Sequence, residues 1–210
     1  MKYTRLTLAA LLAVTIALPS LAKKSESDLP PQLAVGAVAP KFTLPNTIDG
    51  KPVSLESFKG KSAGVCVVFF ANHCPVAKAY EERIIALAKE FQPKGVQFML
   101  ISSNDTSFVP GDGPADMKQL ALDHKYPFPY LYDESQATGM AFGARVTPHI
   151  FLLDKDLVLR YRGAVDDNMD PTLVKETYLR NALTALANGK PGDIAVAETV
   201  AKGCSIKWKE

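Results

Sequence analysis

The chain has 210 residues, of which 47% are hydrophobic and 22% are charged, and its formal net charge is +2. This composition excludes a disordered chain, and the length suits one globular domain with short additional segments. The near balance of charge, without an extended basic cluster, excludes a typical nucleic-acid-binding surface.

The first element in the chain is a predicted secretory signal peptide over residues 1–22. Lys2 and Arg5 form a basic start, residues 8–18 are almost wholly apolar, and residues 20–22 have the small-x-small pattern of a cleavage site. Cleavage would remove these two positive charges and bring the net charge from +2 to 0. The sequence therefore predicts a periplasmic or secreted protein without a membrane span, and an uncleaved N-terminal anchor is the alternative.

A polar lead-in over residues 23–34 precedes the predicted domain. Asp49-Gly50 lies between short apolar runs at residues 42–44 and 53–55, which predicts a β-hairpin. The continuous apolar run at residues 65–70 is typical of a central strand buried on both faces.

A helix is predicted directly after this strand, over residues 75–91. Its first residue is a proline, which suits the first turn of a helix. Apolar residues recur at three- and four-residue steps and predict a buried stripe: Val76, Tyr80, Ile84, Leu87, Ala88 and Phe91. We expect the charged residues between them to face solvent: Glu81, Glu82, Arg83, Lys89 and Glu90.

The rest of the chain alternates between strands and helices and ends in a tail. We expect strands at 96–102 and 128–132, helices at 114–125 and 135–142, an antiparallel strand pair at 150–153 and 158–162, and a final helix at 171–188. Residues 191–210 show no strong periodicity and are predicted to form a tail. This order predicts an α/β fold with a mixed central sheet, helices on both faces and an N-terminal hairpin extension.

Three cysteines occupy different positions in this pattern. Cys66 lies inside the apolar strand and is expected to pack as a small hydrophobic side chain. Cys74 comes immediately before the long helix, where exposed N–H groups and the helix dipole favour a thiolate that solvent can reach. Cys204 lies in the tail.

Several segments resemble a known family. Residues 69–78, Phe-Phe-Ala-Asn-His-Cys-Pro-Val-Ala-Lys, are similar to the active-site turn of the thioredoxin superfamily, and Val146-Thr147-Pro148 resembles its cis-proline loop. Residues 39–44, 72–80, 126–133 and 203–208 resemble the peroxiredoxin-like (AhpC/TSA, redoxin) subgroup. The resemblance covers roughly residues 35–208 and implies a thioredoxin-like three-layer domain over residues 35–190.

The resemblance implies thiol chemistry centred on Cys74. The expected substrates are protein or small-molecule disulfides or peroxides, with an external thiol as reductant and no cofactor. Thr147, Pro148 and His73 are expected to contact substrate, and Cys204 is a possible resolving cysteine within the chain or across a dimer. Ala77 replaces the second cysteine of the usual CxxC pair, so a dithiol cycle within the turn is excluded. The peroxidatic cysteine of the peroxiredoxin motif would also fall at Ala77.

Two other functions stay open at this point. The missing second cysteine is compatible with a non-catalytic binding module that retains the fold. Cys74, His73 and His149 are also residue types that bind a soft ion such as Cu(I), if the fold brings them together.

Overall fold

The computed structural model describes residues 29–209, so the predicted signal peptide lies outside the described residues. In chain order the strands and helices are β1 (Thr43–Pro45), β2 (Pro52–Ser54), β3 (Gly64–Phe69), α1 (Pro75–Phe91), β4 (Val96–Ser102), α2 (Pro114–Asp123), β5 (Tyr130–Tyr132), α3 (Ala137–Phe142), β6 (Val146–Thr147), β7 (His149–Asp154), β8 (Leu159–Gly163), α4 (Tyr178–Ala187) and β9 (Cys204–Ser205). Within these residues, no helix is both long and apolar enough to cross a membrane.

A five-stranded mixed sheet forms the centre of the domain, in the order β5-β4-β3-β7-β8. Strands β5, β4 and β3 run parallel, and β7 and β8 add antiparallel neighbours. Every residue of β3 is buried, as expected for an apolar run in the middle of a sheet covered on both sides. The predicted mixed sheet is therefore confirmed.

The two faces of the sheet belong to separate hydrophobic clusters. Alternate residues of β3 point to opposite faces, so Cys66 and Val68 join one cluster and Val65 and Val67 the other. The first cluster is built on α1 and α4, and the second contains the β1–β2 hairpin and the end of α3. Helices on both faces and the N-terminal hairpin are thus as predicted.

Helix α1 has the predicted bounds, but one of its charged residues is not on the solvent face. The Glu81 side chain is buried, with a carboxylate oxygen 2.7 Å from His124 Nδ1 and a hydrogen bond from the Tyr126 hydroxyl. The expectation of a solvent-facing Glu81 is wrong because partners remote in sequence satisfy its oxygens.

The last helix begins later than predicted. Residues Pro171–Leu173 form a separate 3₁₀ turn, and α4 begins only at Tyr178. The carboxylate of Asp170 accepts the backbone N–H of Thr172, and that of Asp167 accepts the N–H groups of Lys175 and Glu176. Asp170 caps the 3₁₀ turn, whereas Asp167 takes the Lys175 and Glu176 donors that a continuous helix would use, so the helix does not continue from the turn.

The C-terminal segment returns to the domain and packs on it. Arg162 N–H donates to the carbonyl of Ala197 at 2.9 Å, and β9 pairs with β6. Ile206 is buried in the second cluster, and Trp208 packs against it. Contacts to residues that are distant in sequence hold this segment in place, and they bring Cys204 opposite Thr147 of β6.

Candidate active site

Cys74 occupies the junction between the central strand and the long helix. Strand β3 ends at Phe69, a short turn follows, and α1 begins at Pro75. Cys74 is the N-cap residue of α1, and its Sγ accepts the backbone N–H of Ala77 at 3.4 Å. The sulfur therefore lies where the free N–H groups of a helix stabilise negative charge.

The predicted cis-proline loop lies beside this sulfur. The Thr147–Pro148 peptide bond is cis, which confirms the expectation from the sequence. In the thiol form, Cys74 Sγ donates to the carbonyl oxygen of Thr147 at 3.0 Å. Two segments more than 70 positions apart in sequence thus meet at Cys74.

Strand β9 covers the loop and the thiol. Thr147 pairs with Cys204 in the antiparallel β6–β9 ladder, and the Thr147 hydroxyl lies 3.5 Å from the carbonyl oxygen of Cys204. A Cβ on Gly203 would lie 2.0 Å from the Thr147 oxygen and 2.7 Å from its carbonyl carbon. Glycine is therefore required at residue 203 for the tail to approach this closely.

The Cys74 sulfur is not open to solvent, contrary to the sequence-based expectation. Its side chain is 0% exposed, whereas Cys204 is partly exposed. Cys74 belongs to the apolar cluster beneath α1, and Cys204 of the tail packs against this same cluster. Both cysteines are free thiols, so the structure is that of the reduced pair.

The surroundings of the two sulfurs favour ionisation of Cys74. Burial disfavours its thiolate, but hydrogen bonds from the thiol of Cys204, the side chain of Thr147, and backbone groups of Ala77 and Cys204 outweigh this effect and lower the pKa of Cys74. Burial, followed by the hydrogen bond and charge of Cys74, raises the pKa of Cys204 to about 11. Of the two thiols, Cys74 is therefore the one that ionises first.

His73 is part of a polar network rather than of the contacts around the sulfur. Its backbone N–H donates to Asp112 Oδ1 at 3.0 Å, and its Nδ1 lies 2.6 Å from Asp112 Oδ2. Asn104 donates to the same carboxylate at 2.6 Å and accepts the backbone N–H of Lys207 at 2.7 Å. The network joins the active-site turn to the tail.

Sequence reasoning missed Asp112 and Asn104, both of which are buried. They lie in a polar loop at residues 103–113, where no periodicity or motif separates them from their exposed neighbours. They connect the active-site turn to the tail only because the fold brings the three segments together.

Cys66 packs in the core, as predicted. Its side chain is 0% exposed in the middle of β3, and burial raises the pKa of its thiol far above the ordinary value. Val68, two residues further along the strand on the same face, is also fully buried. This part of the strand therefore offers no polar group to the site.

The ligand set considered for Cu(I) does not assemble. The His149 ring packs against that of Phe151 in a tilted arrangement, with ring centroids 4.5 Å apart, and Phe151 belongs to the cluster on the opposite face of the sheet from Cys74. The His73 ring is held by Asp112. Among residues 29–209, no group of three or more His, Cys, Asp or Glu side chains is arranged to hold a metal ion.

Comparison with curated proteins identifies relatives that are thiol-dependent redox proteins. The thiol-disulfide oxidoreductase ResA of Bacillus anthracis is 25% identical over 125 residues, a match that covers 60% of this chain and 66% of that protein. The 1-Cys peroxiredoxin PER1 of Zea mays is 27% identical over 196 residues, covering 79% of this chain and 84% of that protein.

Solved structures and a family model give the same assignment. An uncharacterized conserved protein from Geobacillus kaustophilus is 42% identical, with a TM-score of 0.75 over 84% of this chain and 93% of that chain. The thioredoxin domain of a thiol-disulfide oxidoreductase from Bacteroides vulgatus is 25% identical, with a TM-score of 0.52 over 61% of this chain and 86% of that chain. Since the AhpC/TSA family model matches residues 35–162, more than half of the chain, the protein belongs to the AhpC/TSA family of redoxins and has their thioredoxin-like fold.

Proposed function

We propose that the protein is an exported thiol–disulfide oxidoreductase that works through a reversible disulfide between Cys74 and Cys204. The observation that carries this proposal is that two free thiols meet at the cis-proline loop, since Cys74 Sγ donates to the Thr147 carbonyl and Thr147 pairs with Cys204. Cys74 acts as the thiolate, and Cys204 takes the place of the cysteine that Ala77 replaces in the turn.

The site supplies what thiol–disulfide exchange requires. The thiolate is the attacking species, and a sulfur with a lowered pKa is also the better leaving group. Four hydrogen-bonding groups stabilise the Cys74 thiolate inside an otherwise apolar cluster. These groups all belong to the chain itself, so the exchange needs no cofactor.

Disulfide exchange is favoured over peroxide reduction at this site. Ala77 lies where the peroxiredoxin motif has its cysteine, and its side chain is buried on the first turn of α1. The thiolate of Cys74 is covered by β9, so a peroxide has no open route to it. The substrates proposed are therefore disulfides and thiols, with an external thiol as reductant.

Oxidation with a glutathione redox buffer tests the pairing. We expect mass spectrometry of the digested protein to find a Cys74–Cys204 bridge, and neither Cys74→Ser nor Cys204→Ser to form a disulfide within the chain under the same conditions. Cys66→Ala is the matched control, because Cys66 is buried in β3 and takes no part in the exchange. Absence of the bridge in oxidised protein, with both thiols unreactive, would show a binding module that retains only the fold.

Export is a separate part of the proposal, supported by the pattern of residues 1–22. We expect the protein recovered from the periplasm or medium to begin at Lys23. N-terminal sequencing checks this, and a protein recovered with Met1 and its apolar segment intact would contradict cleavage.

A further inference from the structure

The two sulfurs of the pair differ in their access to solvent. Cys74 is 0% exposed, whereas Cys204 is partly exposed and lies between Gly203 and Ser205, which are both exposed. A molecule that approaches from solvent therefore meets the partly exposed Cys204 before the fully buried Cys74.

The tail is anchored on both sides of Cys204. Before it, Thr199 N–H donates to the Arg162 carbonyl at 3.0 Å, and the Thr199 hydroxyl lies 2.7 Å from the hydroxyl of Tyr161. After it, Ile206 N–H donates to the Arg145 carbonyl at 3.0 Å, and Lys207 bonds to Asn104. These contacts hold the cover over Cys74 in place without a disulfide.

The same strand occupies the backbone edge beside the cis-proline. An extended peptide that adds to a sheet needs free backbone groups at the edge that it joins. The edge of Thr147 is already paired with Cys204. A substrate that binds by strand addition is therefore excluded from this edge while β9 is seated.

From this arrangement we infer that external thiols and disulfides exchange at the sulfur of Cys204, while Cys74 reacts only with Cys204. The inference rests on the proposed function and assigns the substrate class. The partners are small thiols, or thiols on flexible segments, that approach an exposed turn rather than pair with a strand.

Reduction of the bridge then proceeds in two steps. An external thiolate attacks Sγ of Cys204, so that a new S–S bond forms to Cys204, the Cys74–Cys204 bond breaks, and Cys74 leaves as the thiolate. A second external thiolate attacks the external sulfur of this mixed disulfide. The external disulfide is released, and Cys204 leaves as a thiolate that takes up a proton. Two external thiols are oxidised and the protein disulfide is reduced, and the reverse sequence oxidises the pair.

The pKa shifts of the two sulfurs also favour attack at Cys204. A leaving thiol with the lower pKa departs faster, and the pKa of Cys74 is lowered whereas that of Cys204 is raised. Attack at Cys204 therefore expels the better leaving group. Attack at Cys74 would expel the poorer one, through a strand that must first be displaced.

Two single-substitution variants test the inference with oxidised glutathione as the probe. Cys74→Ser leaves Cys204 as the accessible thiol, and Cys204→Ser leaves Cys74 beneath an intact strand, since serine fills the same space. We expect a glutathione adduct to form on Cys204 in the first variant at least tenfold faster than on Cys74 in the second. Digestion and mass spectrometry at timed acid quenches give both rates, with unreacted Cys66 as the internal reference.

The outcomes separate this inference from the proposed function. If Cys74 of Cys204→Ser reacts as fast as Cys204 of Cys74→Ser, or faster, exchange does not enter at Cys204 and the inference is wrong. In that case the wild-type bridge can still form, so the proposed function stands. If the oxidised wild-type protein contains no Cys74–Cys204 bridge, the proposed function itself fails.

Discussion

Cys66 and Cys74 are both fully buried, yet their surroundings shift the pKa values of the two thiols in opposite directions. Both side chains are 0% exposed and both belong to the same hydrophobic cluster. Burial raises the pKa of Cys66 without opposition, whereas hydrogen bonds around Cys74 overcome burial and lower its pKa. Hydrogen bonds to the sulfur, which Cys74 has and Cys66 lacks, reverse the direction of the pKa shift.

The donors come from three separate parts of the chain. Ala77 belongs to the first turn of α1, Thr147 to the cis-proline loop, and Cys204 to the tail. A buried thiolate therefore depends on the simultaneous seating of all three segments. Substitutions that displace or remove one of these donors test whether hydrogen bonds cause the difference in pKa between Cys74 and Cys66.

Gly203→Val should have the largest effect, because its side chain cannot fit beside Thr147. A Cβ there would lie 2.0 Å from a backbone oxygen, which cannot move aside as a flexible side chain would. We expect β9 to be displaced and formation of the Cys74–Cys204 bridge in a glutathione buffer to slow at least tenfold. Timed acid quenching and mass spectrometry measure this rate.

The matched control is Gly192→Ala, also in the C-terminal segment, where a Cβ meets no atom within 4 Å. It should form the bridge at the wild-type rate. Equal rates for the two variants would show that close packing at Gly203 is not needed for pairing.

Thr147→Val should have an intermediate effect. The substitution keeps the shape of the side chain and removes its hydroxyl, which is one of the groups that stabilise the Cys74 thiolate. A hydrogen bond to a charged group contributes about 1.5 kcal/mol, which corresponds to roughly tenfold in an equilibrium constant. We expect the thiol–disulfide equilibrium with glutathione at neutral pH to shift by up to about tenfold toward the disulfide.

Thr147→Ser is the control for this prediction, because it retains the hydroxyl and loses only a methyl group. It should restore most of the wild-type equilibrium. A shift of the same size in both variants would assign the effect to packing at β6 and not to the hydroxyl.

Asp112→Asn should weaken the connection between the turn and the tail. The buried carboxylate binds the backbone and ring of His73 and the side chain of Asn104, and an amide cannot accept from all three. We expect the free energy of unfolding to fall by about 2 kcal/mol. Chemical denaturation measures it, with the exposed Asp193→Asn expected to stay within about 0.5 kcal/mol of wild type.

Much of the fold follows from patterns that are local in sequence. The helix at Pro75–Phe91 and the strand at Val96–Ser102 have the predicted bounds, because proline, apolar spacing and glycine mark them within a few residues. The last helix differs because Asp167 accepts the backbone N–H groups of Lys175 and Glu176, eight and nine residues ahead, and composition alone does not indicate such bonds.

Only part of the candidate site could be predicted from the sequence, namely Cys74 and the cis-proline loop. The turn before a helix and the Thr-Pro pair are recognisable in the sequence, and the structure brings them together. Strand β9 has two residues and joins a strand 57 positions earlier. No periodicity can arise in so short an element, so neither the cover over Cys74 nor the network through Asp112 was visible in the sequence.

The smallest predicted effect concerns how the free energy of unfolding depends on pH. It should rise with pH below about 8.5 and fall above it. Below the ordinary cysteine pKa of about 8.5, native Cys74 has released a proton that the unfolded chain still binds, so stability rises with pH. Above about 8.5, the unfolded chain loses protons that native Cys66 retains, so stability falls. Cys204, with a pKa of about 11, adds to this fall.

Urea unfolding of the reduced protein between pH 6 and pH 10 measures both slopes. Cys74→Ser should lose the rise between about pH 7 and 8.5, since serine has no proton to release in this range, and should keep the part near pH 6 that buried, neutral His149 contributes. Cys66→Ala should keep the rise and show a shallower fall above it, with Cys204 and the buried tyrosines of raised pKa as the remaining contributors. If Cys74→Ser kept the wild-type rise, Cys74 would carry its proton in the native state, and the two buried cysteines would not differ as described.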